Sequence, residues 1–462
     1  MRIRSLRLIN FKNLEDSTIA FKGKHISGIY GPNGTGKTSI IEAIDLLKLY
    51  FEVERPKNKN FLETERERIK SLISKGKESL KIILEIEIKD NVYLIELELG
   101  LNKFNDIMIL KEGIQIKNTK PRSVYKRLIE LENDISLPQP KIYLYEKNKK
   151  DVYDYFAEIQ KEIFNENNTS PQEIILKLSN FNSFISIFVS EIDKIEKNNK
   201  KIKEKYLEIN KRCIEILISF YNISVISLKE QALSNLEIVM PINFNIEIAQ
   251  GTIPICCKNN PQNSYTEEEL NIIKKVIENV NKLFPLLTQG AMLECKEEIL
   301  AKTEKGIKYS IKITVKRQNK EAIDIYHEST GMIKLFMLLS ALMNILQRED
   351  AILLVDEIDV HIFEYLLAYL LEILSNHSRG QLIFTAHNLL PLEKLNRDSI
   401  ILTSCKDNKV TYEYFKGKIS SSTNLRLKYL KAQYLWSEDN IQPLVIKESK
   451  VESTIRELQK NV

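Results

Sequence analysis

A glycine-rich segment near the N-terminus carries the clearest chemistry in the sequence. Residues 31–39 read GPNGTGKTS, which matches the phosphate-binding loop (P-loop) pattern G-x4-G-K-T. Glycines let such a loop fold tightly and point backbone N–H groups at a phosphate, and its lysine reaches the β- and γ-phosphates of a nucleotide. We therefore predict that Lys37 binds phosphate and that the Thr38 hydroxyl ligates Mg²⁺. The residues predicted to surround the phosphates are Asn33, Gly34, Thr35, Gly36, Lys37, Thr38 and Ser39.

An acidic pair follows a run of apolar residues in the second half of the chain. Residues 351–355 read AILLV, which predicts a strand buried in a parallel sheet. Asp356 and Glu357 come next, and the carboxyl ends of parallel strands form the ligand-binding edge of an α/β sheet. We predict that Asp356 holds Mg²⁺ and that Glu357 polarises the attacking water. Two acids can also simply end a strand, but the P-loop in the same chain favours the catalytic interpretation.

A histidine follows the next predicted strand, at residues 380–384. Thr385, Ala386 and His387 come directly after this mostly apolar run. An imidazole at this edge of the sheet can contact the γ-phosphate and the attacking water, which is the role we predict for His387. The other histidines lack this context, and we interpret them as structural or surface residues. They are His25, His327, His361 and His377.

A second segment of small residues precedes a predicted helix. Residues 328–331 read ESTG and lie about 25 residues before Asp356. A helix N-terminus attracts anions. Because the P-loop already provides one phosphate site, the economical interpretation is that Ser329 and Gly331 contact the nucleotide of a second subunit. An ordinary helix cap explains the same residues equally well.

Strand and helix patterns surround these motifs. Residues 3–11 and 25–30 predict two strands, and an apolar helix pattern follows the P-loop. Between 80 and 117 apolar residues alternate, which predicts an antiparallel hairpin and a third strand. Beyond residue 306 strands and helices alternate. Strands are predicted there at 307–315, 351–355, 380–384 and 399–403, and helices at 333–347 and 362–376.

The middle of the chain predicts helices. Apolar residues from 185 to 220 keep a 3-4 spacing over about five heptads, broken by Asn199, which predicts one helix of roughly 50 Å. Another helix is predicted to start at Thr266, with Glu269 completing a capping box. These helices form either a short coiled-coil arm or a bundle packed on the body. We divide the chain into an N-terminal ATPase part (1–150), this helical insertion (151–290) and a C-terminal ATPase part (291–462).

Composition excludes several classes of protein. The chain has 462 residues, of which 43% are hydrophobic and 28% charged, which is typical of globular proteins. The net charge of +5 does not by itself indicate nucleic-acid binding. Five cysteines without a C-x-x-C pattern argue against a disulfide framework or a zinc ribbon. No apolar signal core opens the sequence, and the longest apolar stretch, 332–346, is too short to span a bilayer. We expect a cytoplasmic protein without a membrane segment.

The four motifs, in this order, resemble those of ABC-type ATPases of the RecF, SMC and OLD (overcoming-lysogenisation-defect) group. The sequence is most similar to AAA-family, ABC-like ATPases of bacterial abortive-infection and phage-defence loci. Residues 328–331 resemble the ABC signature, and 356–359 resemble a Walker B motif that runs into the D-loop. The opening, Ile3-x2-Leu6-x-Leu8-x2-Phe11-Lys12-Asn13, and the tail at 424–430 resemble those of the group.

This resemblance covers about 1–120 and 280–435 and implies a specific architecture. It implies an α/β fold with a P-loop ABC-type ATPase sheet, an antiparallel β lobe and the helical insertion. It also implies ATP hydrolysis with Mg²⁺ in a head-to-tail homodimer that sandwiches ATP. The implied biological role is antiphage defence with a separate effector protein, a nuclease or a toxin.

Some features depart from the group's pattern. The signature reads Ser-Thr-Gly instead of Ser-Gly-Gly, and the Q-loop glutamine has only weak candidates, Gln115 and Gln160. We see no zinc-hook Cys-x-x-Cys, and we expect too little chain after His387 for a TOPRIM nuclease domain. Two other functions stay open. One is a DNA-repair or chromosome-associated ATPase, for which the basic stretch 117–127 could contact nucleic acid. The other is a nucleotide-gated scaffold with little turnover.

Overall fold

A computed structural model describes most of the chain. The described residues are 1–51, 59–102, 105–133, 141–144, 153–154, 183–197, 203–226, 239–246, 249–256, 264–303, 306–406, 409–416 and 423–435. The helices in these ranges are α1 (Lys37–Phe51), α2 (Lys59–Leu72), α3 (Phe184–Lys197), α4 (Glu204–Tyr221), α5 (Glu267–Val280), α6 (Phe284–Leu287), α7 (Thr330–Gln347), α8 (Glu364–His377) and α9 (Leu425–Leu435).

The strands follow the same order along the chain. They are β1 (Arg2–Phe11), β2 (Leu14–Ala20), β3 (Ile26–Tyr30), β4 (Ser79–Ile88), β5 (Asn91–Leu101), β6 (Ile107–Asn118), β7 (Lys126–Glu132), β8 (Lys141–Leu144), β9 (Tyr153–Asp154), β10 (Ile223–Ile226), β11 (Val239–Ile246), β12 (Ala249–Cys256), β13 (Met292–Thr303), β14 (Gly306–Lys316), β15 (Ile323–Asp324), β16 (Ile352–Val355), β17 (Gln381–Thr385), β18 (Ile400–Lys406) and β19 (Lys409–Glu413).

A six-stranded sheet places the motifs at one edge. Its order is β10-β16-β17-β3-β18-β19, in which the first five strands run parallel and β19 pairs antiparallel with β18. Strands β3, β16 and β17 are buried along their whole length, as expected for parallel strands covered on both faces. Their carboxyl ends therefore bring the P-loop, the acidic pair and His387 to the same edge.

An eight-stranded antiparallel sheet forms the predicted β lobe. Its order is β2-β1-β4-β5-β6-β7-β8-β9. Strand β4 shows why it forms: every second residue, including Leu80 and Ile82, is fully buried, and the residues between them are half-buried. On that half-buried face Lys81 pairs with Glu96 and Glu98 at 2.9 Å each. The hairpin and third strand predicted between 80 and 117 are confirmed.

The helix after the P-loop joins the sheet and the lobe. Ile40, Ala43, Ile44 and Leu47 of α1 are buried in one apolar core with strands of the lobe. The Tyr50 hydroxyl, near the end of α1, donates a hydrogen bond to the Glu112 carboxylate on β6. Packed side chains and this hydrogen bond therefore join α1 to the lobe.

The structure replaces the one long helix predicted for 185–220 with two. Helices α3 and α4 pack against each other, which one straight helix of this length could not do. Their apolar seam is buried in the same core as α1, and the rings of Phe220 and Phe51 lie 4.8 Å apart. Asn199 lies outside the described residues. The 3-4 spacing of apolar residues predicted helices in this segment correctly. It does not distinguish an apolar face that packs on a partner helix from one that packs on the rest of the same chain.

The middle segment also supplies strands. β10 is an edge strand of the six-stranded sheet, next to β16, and β11 and β12 form a hairpin. Helix α5 begins with the predicted capping box between Thr266 and Glu269. The predicted boundary at 150 lies outside the described residues, and the division into three parts stays a prediction. The α/β class with an antiparallel lobe is confirmed.

Candidate nucleotide-binding site

The P-loop connects β3 to α1 and depends on its glycines. Gly36 has φ +78°, a left-handed conformation that favours glycine, and a Cβ there would lie 2.8 Å from the Tyr412 hydroxyl. That hydroxyl donates a hydrogen bond to the Gly36 carbonyl at 2.9 Å. Thr35 is hydrogen-bonded to Thr403 of β18. Strands β18 and β19 therefore support the loop from behind.

A cavity of about 660 Å³ lies in front of the P-loop. Its size is within the range of small-molecule and cofactor sites. The cavity brings together three of the predicted motifs: the P-loop, Glu357 and His387. The residues that line it are Lys12, Asn13, Asn33, Gly34, Gly36, Lys37, Thr38, Ser39, Glu357 and His387.

The side chain of Lys37 is folded over the loop. Its Nζ donates hydrogen bonds to the carbonyls of Gly31 and Pro32 at 2.8 and 2.9 Å. Burial lowers the pKa of Lys37, although nearby carboxylates, of which Glu357 contributes most, oppose the shift. A cation held at the cavity by neutral carbonyls can exchange them for the oxygens of a phosphate, which are stronger acceptors.

The two residues predicted to hold Mg²⁺ are in contact. The Thr38 hydroxyl donates to Asp356 Oδ1 at 3.2 Å, and the Thr385 hydroxyl donates to the same oxygen at 2.6 Å. Asp356 is only 4% exposed. A hydroxyl and a carboxylate are oxygen ligands of the kind Mg²⁺ prefers. Among the described residues no group of three or more His, Cys, Asp or Glu side chains could hold a metal. This pair fits an ion whose other ligands are phosphate and water.

Glu357 begins an acidic turn, residues 357–361, that follows Asp356. Its backbone has φ +49°, an uncommon conformation that costs on the order of 1 kcal/mol for a residue other than glycine. Its N–H donates to the Thr385 hydroxyl at 2.7 Å, and its carbonyl accepts from Lys334 Nζ at 2.6 Å. The Glu357 side chain is thereby directed to the cavity by backbone contacts with two other elements.

His387 is positioned by the same turn. The backbone N–H groups of His387 and Asn388 donate to Asp359 Oδ2 at 2.9 and 2.6 Å. The imidazole is exposed at the cavity wall. Asp359 thus connects the loop after β17 to the acidic turn, a role that the sequence alone did not indicate.

Lys12 and Asn13 also line the cavity, although the sequence suggested no site role for them. They form the turn between β1 and β2, with Lys12 at φ +54°. Lys12 forms an ion pair with Glu42 of α1, and Asn13 Nδ2 donates to the Gly34 carbonyl at 2.6 Å. The only sequence signal was a basic and an amide residue at the end of a strand. The lobe therefore contributes a cation to the cavity.

The signature segment, residues 328–331, lies elsewhere. Ser329 caps α7, since its hydroxyl accepts a hydrogen bond from the Met332 N–H at 3.3 Å. It is exposed, and neither Ser329 nor Gly331 is among the residues that line the cavity. A Cβ at Gly331 would lie 2.5 Å from the His361 carbonyl oxygen, so this glycine permits a close approach within the chain.

Of the two Q-loop candidates, the structure describes one. Gln115 lies on β6 and does not line the cavity. Gln160 lies outside the described residues. The basic stretch at 117–127 is partly neutralised, because Lys117 lies 3.7 Å from Glu85 and Arg127 lies 3.2 Å from Glu130.

The sheet, the P-loop and the acidic pair define the class: an AAA or ABC-type nucleotide-binding domain. A family model described as "AAA domain, putative AbiEii toxin, Type IV TA system" matches residues 26–393. The chain belongs to this family, which confirms the predicted relationship to AAA-family ATPases of the abortive-infection type. A search of curated proteins found no match.

Several solved structures are similar to this chain. An SMC head bound to the C-terminal winged-helix domain of ScpA has 15% identity and a TM-score of 0.46, over 90% of this chain and 98% of that one. The SMC head domain from Thermotoga maritima has 14% identity and a TM-score of 0.39, over 90% and 100%. An Smc head with an extended coiled coil, bound to the C-terminal domain of ScpA derived from Pyrococcus furiosus, has 17% identity and a TM-score of 0.39, over 89% and 96%.

Proposed function

We propose that this protein binds ATP with Mg²⁺ in the cavity at the P-loop and hydrolyses it. The observation that carries the proposal is the convergence of Lys37, Glu357 and His387, from three separate parts of the chain, on one cavity. The contact between Thr38 and Asp356 beside it fits a metal ion. If residues 31–39 were only a glycine-rich turn, nothing would require Glu357 and His387 to lie beside it.

Each residue has a distinct role in this reaction. Lys37 leaves the loop carbonyls and binds the β- and γ-phosphates, while P-loop N–H groups hold the other oxygens. The Glu357 carboxylate orients the attacking water and accepts its proton as the water adds to the γ-phosphate and ADP leaves. His387 donates to the γ-phosphate and stabilises charge in the transition state. When bound, Mg²⁺ neutralises phosphate charge next to Thr38 and Asp356.

The exposed signature segment supports a head-to-tail homodimer. Ser329 lies at the positive end of α7, on the surface and outside its own cavity. In such a dimer this helix start contacts the nucleotide bound by the partner's P-loop, so that each ATP lies between two chains. A homodimer places two equivalent composite sites about one symmetry axis.

We further propose a cytoplasmic antiphage role in which ATP controls a separate effector, a nuclease or toxin. The family description, which refers to a toxin of a type IV toxin–antitoxin system, supports a defence-type role but names no separate effector. Helix α7 alone among the described helices is long and apolar enough to cross a membrane, and it is mostly buried inside the fold. In the described part of the chain no cluster of three or more His, Cys, Asp or Glu side chains suggests the metal centre of a nuclease.

Steady-state ATP hydrolysis, measured with and without DNA, tests the proposal. We expect Mg²⁺-dependent turnover by the protein alone, lost in the Lys37→Ala variant, with no nuclease activity in the same preparation. Turnover that appears only with DNA favours a chromosome-associated or repair ATPase. Nucleotide binding without turnover in any condition favours a gated scaffold and contradicts the proposed hydrolysis.

A further inference from the structure

A buried lysine, Lys334, contacts the acidic turn but does not line the cavity. Lys334 belongs to the first turns of α7, five residues after Ser329, and is only 4% exposed. Burying an ammonium group is costly unless it is paired and hydrogen-bonded. Its Nζ donates to the Glu357 carbonyl at 2.6 Å. The acidic side chains that face it are Asp356, Glu357 and Asp359.

The turn that Lys334 contacts is held in an uncommon conformation. Glu357 and His361, at its two ends, have φ of +49° and +64°. On its other side the turn is fixed to β17, because the N–H groups of Glu357 and Ile358 donate to Thr385 at 2.7 and 3.0 Å. Such a backbone persists only when surrounding contacts over-determine it. Lys334 provides the contact from α7.

Helix α7 touches both ends of this turn. Lys334 bonds the carbonyl of Glu357, and Gly331 packs directly against the carbonyl of His361. These two residues lie about one helical turn apart, so they move together with the start of α7. A shift or rotation of that helix start therefore acts on the backbone that directs the Glu357 side chain.

We propose that Lys334 is a positioning residue that couples the signature segment to Glu357 of the same chain. This inference rests on the proposed function, in which Ser329 contacts the partner's ATP. Nucleotide contact at Ser329 fixes the position of the start of α7, and Lys334 transmits a change in that position to the backbone of Glu357. Hydrolysis in one site then depends on occupancy of the other, which gives positive cooperativity in ATP.

Three variants test this role. Lys334→Met keeps an unbranched apolar stem but removes the ammonium group. Lys334→Arg keeps the cation and the donor. Ser340→Ala is the control, because Ser340 is also buried in α7 but its hydroxyl bonds only within that helix, to the Met337 carbonyl at 2.8 Å. For each protein, kcat, KM and the Hill coefficient for ATP are measured, together with the affinity for a fluorescent ATP analogue.

We expect Lys334→Met to lower kcat about tenfold or more, because small displacements of a catalytic group have large effects. Its affinity for the analogue stays within about twofold, since Lys334 does not line the cavity. The Hill coefficient falls from above one to one. Lys334→Arg recovers most of both properties, and Ser340→Ala matches the parental protein.

The outcomes separate this inference from the proposed function. A parental protein without ATP turnover contradicts the proposed function itself. A parental protein that turns over without cooperativity, or a Lys334→Met variant with parental kcat and Hill coefficient, contradicts the coupling alone. If Lys334→Met does not fold by circular dichroism, the Arg variant decides: a folded Arg protein that has lost cooperativity or kcat overturns the inference, and one that keeps both supports it.

Discussion

Two helices begin in the same way but in different surroundings. Both α1 and α7 follow a segment of small residues, and each carries a lysine in its first turns, Lys37 and Lys334. Both lysines are buried and face the acidic residues that follow β16. Both ammonium groups donate to backbone carbonyls, but Lys37 lines the cavity, whereas Lys334 does not. We propose that the same chemistry serves ligand binding at Lys37 and positioning at Lys334.

The starts of α1 and α7 also differ in whether a cavity lies beside them in the same chain. The P-loop end has a cavity whose residues come from β1–β2, α1, the acidic turn and the loop after β17. The signature end is an exposed helix cap, and Ser329 does not line that cavity. In the homodimer that we propose, one chain holds most of an ATP site and presents the remaining part of a second one outward. We therefore expect variants at the P-loop and variants at the signature segment to lose different properties.

Lys37→Ala should have the largest effect on binding. Removing a charge-assisted contact to phosphate costs about 3 kcal/mol, so nucleotide affinity should fall on the order of 100-fold. A titration with a fluorescent ATP analogue measures this loss. Lys48→Ala, near the end of the same helix, is the control and should bind normally. Unchanged affinity in Lys37→Ala would exclude the P-loop as the phosphate site.

Glu357→Gln should separate binding from turnover. The amide cannot accept a proton from water, so kcat should fall by about 100-fold or more while nucleotide affinity stays near the parental value. Initial rates of phosphate release measure kcat. Glu364→Gln, an exposed acid at the start of α8, serves as the control. Parental turnover in Glu357→Gln would assign the water-activating role to another residue.

His387→Ala should have the smallest effect of the three. Loss of one hydrogen bond to the γ-phosphate predicts a decrease of about tenfold in kcat, with affinity changed by less than about threefold. His377→Ala, at the exposed end of α8, is the comparison. If His387→Ala instead loses nucleotide binding, the histidine has a structural role in the loop that Asp359 holds.

The sequence predicted the elements whose signals are local. The apolar runs before Asp356 and Thr385 and the alternation in β4 and β5 are dictated by burial on both faces or on one. The P-loop was predictable because glycines and a lysine at this spacing are typical of phosphate-binding loops and of few other structures. These signals also predicted that Lys37, Glu357 and His387 share one edge of a sheet, as they do.

Other parts depend on contacts between distant segments, which local patterns do not carry. β10 is only four residues long and forms because β16 lies beside it. The helical seam of α3 and α4 faces the body instead of an arm. Lys334 lies inside the apolar stretch 332–346 and carried no signal of its own, and Asp359 stood only as the last residue of the motif at 356–359. Their roles follow from the fold of the acidic turn.

In the proposed homodimer the signature segment contacts ATP held by the other chain. ATP-dependent dimerisation is the most direct test of this contact. In the non-hydrolysing Glu357→Gln background, Ser329→Asp keeps a good helix cap but places a negative charge toward the partner's γ-phosphate, whereas Ser329→Asn keeps the cap without the charge. Mass is measured by light scattering with Mg-ATP. We predict that the mass doubles for Glu357→Gln alone and with Ser329→Asn, but not with Ser329→Asp, although all three bind ATP. A dimer that persists with Ser329→Asp, or no ATP-dependent dimer at all, would contradict the account.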